Sequence, residues 1–382
     1  MSRVSPERIT QGRELAGLSK TDLADRLDVS PAAVAQWESG AKNPTADNLA
    51  AISAALGIPM ALLMKPKPAG LSIRGPLSFR ARNNAQIRRM NRKATTLAEM
   101  VAEVFLWLDE RIAFPVANLP VLRGEMMPDD AATHCRREWN LGDRPILKLG
   151  ELLESNGIIL GSAVFNDERF DAFSCVLSSR PFIFLGSEKG DRARSRFDAA
   201  HELGHLILHQ HLSECDLRDA ALHKRVEAEA NAFAGSFLMP ESTFKQDVIN
   251  LSLEGFLKMK PRWGVSAQAM IFRSRELGII SDSQYTELFR QISMKGWRKA
   301  RREPLDDQVP AIQSSLGKRS LELLEKNAII HAWEIPSELP LPISILTQVF
   351  QAGAHEFRPA ANIISLSSYS VSGERNDDQV AL

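Results

Sequence analysis

Residues 197–211 read "FDAAHELGHLILHQH": two histidines four apart, a glutamate directly after the first, in a segment with helical apolar spacing. Residues four apart share a helix face, with Cβ atoms roughly 6 Å apart, so His201 and His205 can turn ring nitrogens on one metal ion. Glu202 sits about 100° further round the helix. Its carboxylate is therefore free to act as a base on water rather than as a ligand. Gly204 leaves room for a neighbouring element to come close. Two histidines do not complete the site, because a catalytic zinc centre takes three protein donors and keeps a fourth position open.

The third donor should come from a nearby helix, and "RVEAEANAFAGSFLMP" (225–240) offers Glu227 and Glu229. Two residues apart, they cannot both face the metal. Val226, Ala230, Phe233, Ala234, Phe237 and Leu238 define a buried arc at about 100° per residue. Glu227 falls inside that arc, and Glu229 falls outside it beside Arg225 and Ser236. A buried carboxylate needs a positive partner, so Glu227 is the expected ligand. Asn231, one turn on, is placed to hydrogen-bond a ligand. His209 continues the four-residue series but lies about 12 Å from His201 along the axis, and reads as packed or hydrogen-bonded. His211 and His223 border the intervening loop and are candidates for stabilising an oxyanion.

Ahead of this segment, "IILGSAVF", "AFSCVLSS" and "FIFLG" are apolar, β-prone runs that predict a small sheet. An edge of it could align an extended peptide by main-chain hydrogen bonds. A long helical pattern runs from about 94 to 112, and further helices follow the "LMP" at 238–240. Beyond about 303 the signals weaken, and "SVSGERNDDQVAL" reads as a disordered tail.

The first sixty-odd residues hold a different pattern. Ser19 can cap a helix with Leu23, Ala24 and Leu27 facing inward. Asp28-Val29 make a short turn, and Ser30-Pro31 is a favoured helix start. Val34 and Trp37 would pack the second helix on the first; Gly40 ends it, and Leu49, Ile52 and Leu56 supply another. Two short helices across a tight turn, the second with small residues at its N-terminus, form a helix-turn-helix.

Lys and Arg together number 47, as do Asp and Glu, so any nucleic-acid affinity must be local. One local source is the run from Lys65 to Lys93, with nine Lys or Arg and no acid: a solvated linker, or a phosphate-contacting extension of the N-terminal module. The cysteines, at 135, 175 and 215, form no CxxC pair and read as reduced thiols of a cytoplasmic protein. No stretch approaches the roughly 18 apolar residues of a membrane span.

The pattern "LA..L.VS...VA.WE.G...P....L..I..AL", over about 9–63, resembles the Xre/Cro family of helix-turn-helix regulators. By that resemblance Lys20, Thr21, Ala32, Ala33 and Gln36 would face an operator in double-stranded DNA, with Lys42 and Asn43 near phosphate. The protein would bind as a homodimer on two half-sites. Gln36 alone is an obvious base reader, suited to adenine. The segment from "RSRFDAAHELGH" through "EANAFAGSFLMP" resembles the ImmA/IrrE zinc metallopeptidases, and the fusion itself is a known architecture of that family.

The expected fold is multidomain and mainly α. It comprises a five-helix Xre-like module over 1–65 and a basic linker and helical connector over 66–135. An α+β zincin-like metallopeptidase domain with a small sheet spans 136–302, and a region of unassigned role spans 303–382. The resemblance implies a transcriptional regulator with a fused Zn2+-dependent endopeptidase that cuts a specific partner, a repressor or antitoxin, in stress responses or mobile elements. Two other readings stand beside it: a non-hydrolytic repressor whose metal domain senses a ligand, and one component of a toxin–antitoxin pair.

Overall fold

The computed structural model describes residues 4–69, 71, 73–74, 85–122, 124–163, 172–186, 191–213, 215–298 and 303–358. Five helices open the chain: α1 (Pro6–Leu15), α2 (Lys20–Leu27), α3 (Pro31–Glu38), α4 (Ala46–Leu56) and α5 (Met60–Met64). Their starts are chemically specified. The Ser19 hydroxyl accepts from the Asp22 amide at 3.0 Å while the Asp22 carboxylate accepts from the Ser19 amide at 2.7 Å, a closed capping box. Asp28 turns the chain with φ 51°. Ser30 then accepts from the Ala33 amide at 3.2 Å, with Pro31 opening α3. Leu23, Ala24, Val34, Trp37, Leu49 and Ile52 are buried between these helices.

A two-residue strand β1 (Ile73–Arg74) precedes α6 (Ala85–Asp109). The helix expected from about 94 thus begins nine residues earlier. Apolar periodicity starts only at Ala94, but Gln, Arg, Met and Lys before it are strong helix formers. Part of the basic run is therefore helical, and its residues 75–84 lie outside the described residues, as does the tail 370–382. Arg89 pairs with Asp22 at 3.2 Å and Arg92 with Glu14 at 3.6 Å.

Next come α7 (Pro128–Glu138), α8 (Leu149–Ser155), β2 (Ile159–Ala163), β3 (Ala172–Leu177), β4 (Arg180–Gly186), α9 (Arg192–Leu208) and α10 (Ala220–Leu238). The chain continues through α11 (Glu241–Asp247), α12 (Leu253–Trp263), α13 (Ala267–Glu276), α14 (Asp282–Met294), α15 (Leu316–Lys326), α16 (Ile335–Glu338) and α17 (Ile343–Phe350). The sheet has the order β1-β3-β4-β2, with β2 parallel to β4 and the other pairs antiparallel. The expected run "AFSCVLSS" ends as a strand at Leu177. Ser178 and Ser179, with φ 49° and 64°, form the two-residue turn into β4, where both central residues must take positive φ.

Strands β3 and β4 are buried on both faces, which is why they read as continuous apolar runs. Phe173, Cys175, Leu177, Phe182 and Phe184 face a core shared with α6, α15, α17 and the N-terminal helices. Ile158, Leu160, Ile183 and Leu185 face a second core with α7 to α14. The packing runs across two of the expected divisions. The division at 135/136 cuts α7, whose buried Ala131, Ala132 and Cys135 pack with α9 and α10. After 303, Leu321, Leu324, Leu346 and Phe350 belong to the first core. No helix among the described residues is long and apolar enough to cross a membrane.

Candidate functional site

The site is carried by α9 and α10, which lie side by side because small residues line the contact. A Cβ on Gly204 would meet Phe233 Cδ1 at 3.1 Å and both the Cα and the carbonyl oxygen of Ala230 at 3.3 Å. Three carboxylates fix the helix starts. Asp191 accepts from the Arg194 amide at 3.0 Å, and Asp219 caps α10 through the Ala221 and Leu222 amides at 2.8 and 3.1 Å. Asp306 accepts from the amides of Arg192 and Ala193 at 2.6 and 3.1 Å, so the segment after 303 braces the first turn of α9. Carboxylates at helix N-termini also satisfy amides that lack helical partners.

One donor atom each from His201, His205 and Glu227 lies within 4.8 Å of the others. The two Nε2 atoms are 3.0 Å apart. Glu227 places Oε2 at 3.7 Å from His201 Nε2 and Oε1 at 3.5 Å from His205 Nε2. Burial works to raise the Glu227 carboxyl, but the His205 hydrogen bond and the imidazoles of His201, His205 and His223 outweigh it and hold it well below the usual carboxylate range. Two imidazole nitrogens and an ionised oxygen suit a borderline-soft divalent cation, and three donors are one fewer than a structural zinc site uses. The donor set fits the metal expected from the sequence.

Glu202 is buried on the sheet side of α9. It accepts a 2.6 Å hydrogen bond from Ser174 on β3. Burial pushes its carboxyl up to about 7; His205 and the Ser174 bond pull it partly back, while Glu227 adds to the rise. A carboxyl poised near neutrality suits proton transfer. Ser174 is a residue that sequence reading missed. Its only signal was a hydroxyl in an otherwise apolar strand, and on β3 it shares its face with Ala172 and Val176, turned toward the second core.

Asn231 Oδ1 lies 3.1 Å from His201 Nδ1, so the structure brings this expected neighbour to the cage. His223, four residues before Glu227 on α10, contributes to the field on that carboxylate, and its Nε2 is buried with no hydrogen-bond partner among the described residues. His211 is exposed and stands elsewhere. It lines a cavity of about 1160 Å³ between residues 117–129, the C-terminal end of α9 and the middle of α10, whose described wall includes His209 and Glu229 but not the cage residues. His209 is buried, as a packed, hydrogen-bonded histidine should be, and contacts His205 and Glu229.

On the N-terminal module, Lys20, Thr21, Ala32, Lys42 and Asn43 are exposed and Ala33 and Gln36 half-buried. Lys20 also pairs with Glu38 at 3.4 Å. Arg8, fully buried, bonds both oxygens of Glu103 on α6 at 2.8 Å, which fastens the module to the rest of the molecule.

A helix-turn-helix joined to a helix-borne His/Glu cluster defines a DNA-binding regulator with a metallopeptidase-type domain. Comparison with protein families divides the chain the same way: residues 9–63 match the helix-turn-helix model, and residues 162–275 match the IrrE N-terminal-like domain of the M78 peptidases. The chain is thus a fusion of an Xre-like module and an ImmA/IrrE-like domain, a family of metal-dependent peptidases. No curated protein matches it.

Proposed function

We propose that the protein is an operator-bound regulator whose second half is a zinc endopeptidase that cuts one specific DNA-binding partner, a repressor or antitoxin. The observation that carries the reading is the convergence of His201, His205 and Glu227 with the buried Glu202 behind them. Zinc bound by the three donors would polarise a peptide carbonyl and make water more acidic. Glu202 takes the proton of the attacking water and returns it to the leaving amine. Ser174 holds the Glu202 carboxylate in place, and Asn231 fixes the ring of His201. His223 Nε2, with no hydrogen-bond partner among the described residues, would donate to a developing oxyanion. Lys20, Thr21, Ala32, Ala33 and Gln36 address the DNA groove, with Lys42 and Asn43 at phosphate, in a cytoplasmic homodimer.

The experiment is proteomics of cells expressing wild type against Glu202→Gln, with transcripts measured in parallel. Wild type alone should generate a neo-terminus in a DNA-binding protein, and the variant should keep its zinc while cleavage falls by about 10²–10⁴. A second reading, metal sensing without hydrolysis, draws on the buried Arg8–Glu103 connection, through which a change at the sheet could reach the DNA module. Operator changes without any neo-terminus would select it.

A further inference from the structure

We propose that His209 and Glu229 form a positioning couple that holds His205 with its proton on Nδ1, so that the Nε2 lone pair is presented to the metal. The inference rests on the metal reading above. Its basis is a line of short contacts leading away from the cage: His205 Nδ1 to His209 Nδ1 at 3.0 Å, then His209 Nε2 to Glu229 Oε2 at 3.0 Å.

Proton accounting leaves one consistent arrangement. A carboxylate can only accept, and the Arg225 guanidinium lies 3.5 Å from Glu229. His209 Nε2 must therefore carry a proton and donate it to Glu229. His209 is buried, and an imidazolium there would turn its second N–H on His205 Nδ1 and leave the His205 proton on the metal-facing Nε2, so with a metal held at Nε2 His209 carries one proton only. Its Nδ1 is then a bare acceptor, so the atom 3.0 Å away, His205 Nδ1, must be the donor. A neutral His205 protonated at Nδ1 has its lone pair on Nε2, the atom that faces His201 and Glu227. The opposite arrangement would set the bare Nε2 of His209 against a carboxylate, two acceptors at hydrogen-bond distance. His201 reaches the same tautomer by a shorter route, through Asn231 Oδ1.

The two glutamates of α10 thus divide the work. Glu227 faces the cage; Glu229, about 200° round the helix, sets the ring on the far side of His205. Groups that orient a ligating imidazole in this way typically change metal affinity by about 10–100-fold.

The test uses the full chain and Zn2+ itself, in competition with a chelator, on wild type, Glu229→Ala, Glu229→Gln and His209→Phe. Glu229→Ala should weaken zinc by about 10–100-fold. Glu229→Gln should recover most of that loss, since its amide oxygen still accepts from His209 Nε2. A purely electrostatic effect of the missing charge would instead make Gln as damaging as Ala. The second readout needs no metal: 15N shifts of His205 should show Nε2 unprotonated in wild type and a tautomer mixture in Glu229→Ala. Glu229 is partly exposed on a helix, and thermal melts of the metal-free variants show whether the fold holds. The couple is overturned if Glu229→Ala and His209→Phe both bind Zn2+ within twofold of wild type, or if the His205 tautomer does not respond. A wild-type chain that bound no Zn2+ would remove the metal reading, while the 15N comparison would still decide the couple.

Discussion

Two regions of this molecule bury charged and ionisable groups, and they do so in opposite ways. At the junction of α1 and α6, Arg8 and Glu103 answer each other completely. Both Glu103 oxygens are used at 2.8 Å, and the remaining guanidinium protons go to Gln11 and to the carbonyls of Lys65 and Pro66 at 2.9 to 3.2 Å. At the cage, two imidazole nitrogens face each other at 3.0 Å beside a carboxylate, Glu202 is buried close by, and His223 Nε2 has no partner among the described residues. A closed pair needs nothing from outside. An open cluster of donors needs a cation, and this contrast separates a structural polar network from a functional one.

The contrast breaks most visibly at the junction. Removing one partner of a buried pair leaves the other charge stranded, at a cost of about 3–5 kcal/mol. Glu103→Ala should therefore shift the urea midpoint of the full chain strongly downward, whereas Arg8→Met with Glu103→Leu together should recover most of it. If Glu103→Ala unfolded at the wild-type midpoint, the junction would not be closed in the sense described.

Much of the cage was legible because it obeys short spacings. His201 and His205 follow from the four-residue helical repeat, Glu227 from its place on a buried arc, and Asn231 from one further turn. The caps at Ser19 and Ser30 were legible for the same reason, being local to three residues. What stayed hidden depends on distant pairing. Asp306 braces α9 across 114 residues, Ser174 reaches Glu202 across 28, and Arg8 meets Glu103 across 95. No periodicity encodes such partners. The helical angle that turns Glu229 away from the metal is what brings it to His209.

A smaller effect sharpens the comparison from the cage side. The donors converge only because α9 and α10 approach closely at Gly204. Gly204→Ala would press its methyl on the Ala230 backbone at 3.3 Å and on Phe233 at 3.1 Å. Backbone cannot yield as a side chain can, so the helices should spread, with a stability loss of about 1–3 kcal/mol. His205 and Glu227, one and three residues from this contact, would move apart, and Zn2+ competition should show weaker binding than in the parent chain. Equal affinity with equal stability would mean that the close approach does not hold the cage.

The smallest effect concerns the basic run and asks whether its charges are closed or open. Arg89 and Arg92 each have an acidic partner within the N-terminal module, at 3.2 and 3.6 Å, and half-exposed pairs of this kind contribute about 0–1 kcal/mol. Their charge is balanced inside the molecule, so they should add little to phosphate binding. Lys42, exposed in the turn after α3, has no such pairing among the described residues. In operator titrations across a salt series, Lys42→Ala should reduce the slope of log K against log salt by about 1, and Arg89→Ala should leave it nearly unchanged. The reverse result would turn the α6 arginines into the phosphate clamp and make the Asp22 contact a resting state that DNA displaces.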